Sequence, residues 1–211
     1  MQVDRLADGL WRWTAPHPDW LEGGDPESGW DQHVTCLYHE APDGIVLIDP
    51  LVPIGEDGAR FWLSLDQDVA RVGRPLTVIV SCAWHRRSAD LVLARYDGAR
   101  ILTADELERG AMLPSVSTIV SDGPGQTRMV LVHCTCHRML WTADLLIGTA
   151  DSGLARPPRV WFDADDERAW MEVDLPKLLP RIAALGVDIA IPAHGRPVLT
   201  DGLAAIQRAF E

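Results

Sequence analysis

The sequence predicts an α+β fold, a four-layer αββα sandwich in which two mixed β-sheets face one another and helices cover their outer sides. Two observations lead to this prediction. Antiparallel hairpins at the start of the chain are followed by β-α-β units, and the same mixture then occurs a second time. The length of 211 residues suits a single domain over residues 1–211 with a sizeable core.

The first half of the chain contains two hairpins and then alternating helices and strands. One hairpin turns at Asp8-Gly9 within residues 2–14, and another turns at Pro42-Asp43-Gly44. Between them, the long Gly- and Pro-rich loop 15–33 carries Trp20 and Trp30, which either fill the edge of the core or contact a ligand. The other predicted elements are strands at 34–38, 45–48, 76–81 and 99–102, and helices at 58–72 and 88–96.

The second half repeats this mixture of strands and helices. Acidic residues 163–167 are predicted to open a long helix, because carboxylates in a first turn interact favourably with the helix dipole. The run His133-Cys134-Thr135-Cys136-His137 is predicted to be a hairpin tip, since its side chains are too close together to surround one zinc ion. The predicted elements are strands at 116–120, 126–132, 139–143 and 187–191, a helix at 163–185 and a terminal helix from about 201.

Composition limits the location and the classes of partner. No apolar run approaches the roughly 20 residues of a membrane span, and the N-terminal residues alternate like strands and do not resemble a signal peptide. The four cysteines lack the spacing of a secreted disulfide framework, so we expect free thiols and a cytoplasmic location. A net charge of -12 would repel nucleic acid. The expected partner is therefore a small molecule or another protein, and a homo-oligomer that uses the Trp-containing loop stays open.

Three segments, in the right order, resemble the metallo-β-lactamase superfamily. The segment Gly44-Ile45-Val46-Leu47-Ile48-Asp49-Pro50 is similar to the end of an early strand pair with its Asp-Pro turn. The segment Leu140-Trp141-Thr142-Ala143-Asp144 resembles the strand that ends in Gly-Asp, where the aspartate bridges two metals, and Ala143 replaces the glycine. The segment Ile191-Pro192-Ala193-His194-Gly195 is similar to the closing strand and its Pro-x-His-Gly. The resemblance covers nearly the whole chain and implies a metallo-β-lactamase-like sandwich.

The loop after strand 76–81 departs from this family. Family members carry Thr-His-x-His-x-Asp-His there, because imidazoles on a strand-end loop converge on zinc. This chain has Ser81-Cys82-Ala83-Trp84-His85-Arg86-Arg87-Ser88. An alignment without gaps puts Cys82 and Trp84 at the first two histidine positions and the two arginines at the Asp-His pair. His85 falls at an intervening position.

One more ligand position differs, because Asp122 aligns with the histidine of the family's Pro-Gly-His. The residual ligand positions are Cys82, Asp122, Asp144 and His194. These residues have donors for one zinc or other divalent transition metal, but Arg86 and Arg87 place positive charge close to the same positions. The arginines either pair with Asp122 or Asp144 or, together with His85, bind an anionic ligand.

The sequence therefore predicts a metallo-β-lactamase-fold protein with an eroded metal site and no bound cofactor. Such a protein is non-catalytic or altered in activity, and it binds a small ligand or a partner. The alternative is a single-metal hydrolase of esters, thioesters or lactones that uses the residual ligands.

Overall fold

The computed structural model describes residues 1–20 and 31–211, which contain twelve strands and six helices. The chain divides into two compact units, Met1–Pro18 with His33–Ser115 and Asp19–Gln32 with Val116–Glu211. The single-domain assignment stays a prediction, and the role proposed for Trp30 lies outside the described residues. Within the described residues, no helix combines the length and the hydropathy of a membrane span.

The first unit contains a six-stranded mixed sheet whose strands follow chain order. The strands are β1 (Gln2–Ala7), β2 (Leu10–Pro16), β3 (His33–Ala41), β4 (Gly44–Ile48), β5 (Leu76–Ile79) and β6 (Arg100–Leu102). Pairing is antiparallel from β1 to β4 and parallel from β4 to β6. The predicted hairpins followed by β-α-β units are thus confirmed. Gly44 is required at its turn because it has φ 157° and a Cβ there would collide with the Pro75 carbonyl.

Three helices belong to the first unit: α1 (Gly55–Val72), α2 (Ala89–Arg95) and α3 (Ala104–Glu108). The amphipathic helix α1 packs on β4 and buries Phe61 and Leu65, which are four residues apart and so share one face. The five-residue helix α3 was not predicted, because it is too short to show a helical period. A capping box between Thr103 and Glu106 defines its start.

The second unit contains a four-stranded mixed sheet and a small two-stranded sheet. Its strands are β7 (Val116–Asp122), β8 (Arg128–Cys134), β9 (Met139–Ala143), β10 (Ile147–Gly148), β11 (Leu154–Ala155) and β12 (Ile189–Pro192). The larger sheet has the order β12-β9-β8-β7, in which β12 and β9 are parallel and the other pairs are antiparallel. The His133 to His137 run covers the last two residues of β8 and the turn that follows, so it forms the predicted hairpin tip. The two-residue strands β10 and β11 were not predicted.

The helices of the second unit are α4 (Ala164–Val173), α5 (Leu175–Ala183) and α6 (Gly202–Ala209). The prediction of one helix over 163–185 was wrong, because the helix breaks at Asp174. Pro176 lacks the N–H that would continue the hydrogen-bond ladder, and its ring would clash with the carbonyl four residues earlier. A proline is tolerated in the first turn of a new helix, so α5 begins there.

We predict that Asp163→Ala lowers the free energy of unfolding by about 1 kcal/mol. The Asp163 carboxylate caps α4 by accepting from the backbone N–H of Asp165, at 2.8 Å, and of Asp166, at 3.4 Å. Asp165→Ala in the same turn is the control, because within the described residues its exposed side chain pairs only with Arg168. Urea denaturation monitored by circular dichroism measures both variants, and equal losses would contradict the capping role.

Candidate functional site

Asp49 of the first unit lies where two parallel strands end side by side. Ile48 of β4 is opposite Ile79 of β5, so the residues that follow the two strands emerge at the same edge of the sheet. Asp49 is completely buried and has φ 49°, a left-handed conformation that aspartate adopts more readily than most residues. Its backbone N–H donates to the Ile79 carbonyl, at 3.0 Å. The Asp-Pro turn therefore places the Asp49 carboxylate next to Ser81, where the loop after β5 begins.

The Asp49 carboxylate holds Ser81 and His85 in a buried polar cluster. Its Oδ1 accepts from the Ser81 N–H at 2.7 Å, and its Oδ2 accepts from the Ser81 hydroxyl. The same Oδ2 lies 2.8 Å from Nδ1 of His85, whose side chain is only 2% exposed. An ionised carboxylate only accepts hydrogen bonds, so this contact assigns a proton to Nδ1 of His85.

This cluster does not have the geometry of a nucleophilic triad. In such a triad the carboxylate and the serine contact opposite nitrogens of the imidazole ring. Here Ser81 Oγ lies 3.0 Å from Nδ1, the same nitrogen that contacts Asp49. The Ser81 side chain is also completely buried and donates to the carboxylate. The cluster therefore orients His85 and does not activate a serine.

The loop after Ser81 forms a 3-10 turn over Ala83–Arg86. Residues three apart in such a turn lie on the same side, unlike residues in a strand. Cys82 and His85 have this spacing; both are buried, and their ligand atoms lie within 4.8 Å of one another. Trp84, at the second histidine position of the ungapped alignment, is 52% exposed. The predicted ligand Cys82 is therefore next to His85, which sequence reasoning had assigned to an anionic ligand.

The two arginines of this loop have partners other than the predicted Asp122 or Asp144. Arg86 forms a two-point ion pair with Asp90 on the surface, with N–O distances of 2.6 and 2.8 Å. Arg87 donates from Nη1 to the backbone carbonyls of Asp49, at 3.2 Å, and Thr35, at 3.3 Å. Arg87 thus ties the loop to the ends of β3 and β4. The alternative in which these arginines bind an anionic ligand stays a prediction.

A second carboxylate-imidazole pair follows two parallel strands of the second unit. Pro192 of β12 is opposite Ala143 of β9, so Asp144 and His194 emerge at the same edge of that sheet. Both side chains are buried. Ala143 has φ 50°, and this left-handed conformation costs a non-glycine residue about 1 kcal/mol. The backbone here has the conformation that glycine provides without strain in the Gly-Asp motif.

The backbone around His194 is closely packed. Its carbonyl accepts from the Gly148 N–H at 2.8 Å. A Cβ at Gly195 would collide with the Gly148 backbone, which explains the glycine after the histidine. The indole of Trp161 lies edge-on to the imidazole, with ring centroids 5.5 Å apart. Sequence reasoning missed Trp161, because it belongs to a short irregular turn.

The spacing of Asp144 and His194 suits two ligands of one metal ion. Oδ1 of Asp144 and Nε2 of His194 are 3.6 Å apart. This is longer than an N–H···O hydrogen bond of about 2.7–3.2 Å. Two ligand atoms about 2.0–2.1 Å from one tetrahedral zinc ion would be about 3.3 Å apart. The pair is therefore compatible with a shared ion.

Asp122, another predicted ligand, has a different environment in the second unit. It ends β7, its side chain is 58% exposed, and its Oδ1 lies 3.4 Å from Nε of Arg128. Among the described residues, it does not join Asp144 and His194 in any group whose ligand atoms all lie within 4.8 Å of one another. The structure brings Asp144 and His194 together without Asp122.

The four cysteines are free thiols, as predicted. Cys36 is buried and its Sγ accepts from the Leu51 N–H at 3.2 Å. Burial raises the pKa of Cys36 to about 11, against the smaller lowering effect of Arg87. Burial also raises the pKa of Cys134. Cys136 is exposed.

Solved structures of metallo-β-lactamases resemble this chain over nearly its whole length. The DIM-1 metallo-β-lactamase covers 99% of this chain and 97% of its own, with a TM-score of 0.62 and 12% identity. A metallo-β-lactamase from Erythrobacter litoralis covers 99% and 89%, with a TM-score of 0.61 and 17% identity. FIM-1 from Pseudomonas aeruginosa, in its mono-zinc form, covers 99% and 96%, with a TM-score of 0.60 and 13% identity.

No family model and no curated protein sequence matches the chain. The predicted α+β fold of the metallo-β-lactamase type is nevertheless confirmed by the structural matches. Structural matches at identities this low establish the fold and leave the activity open.

We predict that Asp49→Asn lowers the free energy of unfolding by about 2–3 kcal/mol. Asparagine fits the left-handed backbone and the shape of the site, but its NH₂ group faces a donor of Ser81 or His85. Asp90→Asn is the control, because the one ion pair of Asp90 within residues 1–20 and 31–211 is the exposed pair with Arg86. Equal unfolding curves in urea for the two variants would show that the buried cluster does not stabilise the loop.

We also predict that iodoacetamide at pH 8 labels Cys136 of the native protein well before Cys36 or Cys134. The thiolate is the reactive form, and a raised pKa keeps a thiol protonated at this pH. Peptide mass spectrometry after timed quenching measures the order, and labelling in urea shows that all sites can react. Native labelling of Cys36 at the rate of Cys136 would contradict its burial.

Proposed function

We propose that this chain, which has the metallo-β-lactamase fold, functions without the two-metal centre of the family that it resembles, and that it binds a small molecule or a protein partner. The observation behind the proposal is the arrangement of the loop after β5. Trp84 is about half exposed, Arg86 pairs with Asp90, and Arg87 donates to backbone carbonyls. A guanidinium is always charged and is not a metal ligand, so the donors for two ions do not fit this loop.

A cavity in the first unit supports the binding of a small molecule. Its volume is about 320 Å³, and it lies between strands β1 to β3 and helix α1. Aromatic side chains form much of its wall: Trp11, Trp13, Tyr38 and Phe61. Cavities of about 300–1,000 Å³ with apolar walls are typical of small-ligand sites. We further propose a cytoplasmic location, which the four free thiols support.

The second candidate function is a single-metal hydrolase, which the spacing of Asp144 and His194 favours. These two residues would supply two of the ligands, whereas Cys82 and Asp122 stay sequence-based predictions. A bound divalent ion would act as a Lewis acid and activate water for attack on an ester, thioester or lactone carbonyl. Asp144 would stay deprotonated and His194 neutral in order to coordinate the ion.

We predict well under one zinc, iron or manganese per chain in untagged protein expressed with added zinc and then dialysed. Mass spectrometry of the dissolved protein measures the metals. One equivalent would support the single-metal hydrolase instead, and two equivalents would contradict both proposals. If one equivalent is bound, His194→Ala should remove the metal. His33→Ala, which replaces an exposed histidine, should retain it.

If one equivalent is present, hydrolysis of a nitrophenyl ester, a thioester and a lactone should fall to background in His194→Ala together with the metal. Turnover that is unchanged in this variant would exclude the second candidate function. The His33→Ala variant again serves as the control for folding and expression.

A further inference from the structure

A cavity of about 470 Å³ in the second unit has three arginines in its wall. Its wall consists of the segment from Leu154 to Arg159, Glu167 of α4, and Arg208 and Ala209 of α6. Three arginines and one glutamate, all with charged side chains, thus border one cavity. None of the candidate metal ligands lies in this wall, so a ligand in this cavity does not require a bound metal.

The charges in this cavity are unusual for an acidic protein. The chain carries 31 acidic residues against 19 basic ones, and most of its arginines pair with a carboxylate or a backbone carbonyl. Within residues 1–20 and 31–211, the guanidinium groups of only Arg74, Arg159 and Arg208 form no hydrogen bond or ion pair. Two of these three border the same cavity. Arg156 pairs with Glu167 at 3.3 Å, which leaves a local excess of two positive charges.

Two prolines limit the backbone movement of the wall segment that carries Arg156 and Arg159. Pro157 and Pro158 lie between Arg156 and Arg159, and their rings fix φ and remove two backbone donors. Arg208 lies in the last turn of α6, a packed helix. Leu154, Ala155 and Ala209 add apolar surface to the wall. The cavity is therefore bordered by two arginines that have no partner among the described residues, beside a surface that suits an organic group.

We propose that this cavity binds the phosphate group of a small phosphorylated molecule. A guanidinium presents paired N–H donors that match two phosphate oxygens, and two such groups match the charge of a phosphate dianion. The volume accommodates an organic body of small-ligand size beside the phosphate. The Arg156–Glu167 ion pair fixes one side of the cavity and limits the positive charge to the two arginines that lack partners among the described residues.

Calorimetric titration of the full chain with inorganic phosphate and phenyl phosphate tests the proposal, at constant ionic strength and with succinate for comparison. We expect saturable binding with one site per chain, tighter for phenyl phosphate than for phosphate and weakest for succinate. Arg159→Gln and Arg208→Gln should each weaken phenyl phosphate binding by about tenfold or more. Arg208→Lys should retain part of the affinity, because it keeps the charge and loses the fork.

Two further variants separate this site from general attraction of anions. Arg74→Gln is the matched control, because Arg74 also has no partner among the described residues and lies outside the cavity wall. It should leave the affinity unchanged. Glu167→Gln should tighten binding by about threefold or more, since it removes the negative charge and releases Arg156.

The proposal is wrong if phosphate and phenyl phosphate do not saturate, or if succinate binds more tightly than phenyl phosphate. Unchanged affinity in the Arg159→Gln, Arg208→Gln double variant would also overturn it, as would equal weakening by Arg74→Gln. Circular dichroism of each variant checks folding, which we expect to be intact because the replaced guanidinium groups make no hydrogen bonds within the described residues.

Discussion

Parallel pairing of two strand pairs is the constraint on which the chemistry of this chain depends. Strand β4 pairs with β5 in the first unit, and β9 pairs with β12 in the second. Parallel neighbours need a long crossover connection, so the residues that follow their carboxyl ends are distant in sequence and adjacent in space. Asp49 meets His85 in this way, and Asp144 meets His194. Each unit thereby buries one carboxylate beside one imidazole.

The two pairs have different geometries and hence different roles. In the first unit a short contact to Nδ1, backed by Ser81, fixes the orientation and tautomer of His85. In imidazoles that bind a ligand through one ring nitrogen, a carboxylate often contacts the other nitrogen in this way. In the second unit the carboxylate faces Nε2 at 3.6 Å, beyond hydrogen-bond length. The first pair is an orienting contact, and the second has the spacing of two ligands.

Much of the fold was predictable because most strands are apolar runs bounded by turn residues. The hairpins around Gly9 and Gly44 and the buried strand at residues 76–79 follow from turn chemistry and hydrophobic pattern. The break at Asp174 was missed because the apolar period of the segment continues past this residue. Pro176 is the sequence signal that marks the interruption. The strands β10 and β11 are too short to show any period.

The candidate site was less predictable, because its side chains depend on local backbone geometry. An alignment without gaps treats residues 82–87 as extended, so it separates Cys82 from His85. The 3-10 turn brings their ligand atoms within 4.8 Å. The partners of Arg87 are backbone carbonyls, which carry no sequence signal. Asp144 and His194 were predictable from motifs, but their separation was not.

Metal ions and arginines are two ways to place positive charge beside an anionic group. A metal needs three or four deprotonated ligands, whereas a guanidinium carries its charge at any physiological pH. At the loop after β5 this charge is already engaged, since Arg86 is neutralised by Asp90 and Arg87 is held by carbonyls. Arg159 and Arg208 have no such partners within the described residues. Two of the three arginines without partners among the described residues therefore lie at the arginine-lined cavity of the second unit, whether or not a metal binds elsewhere.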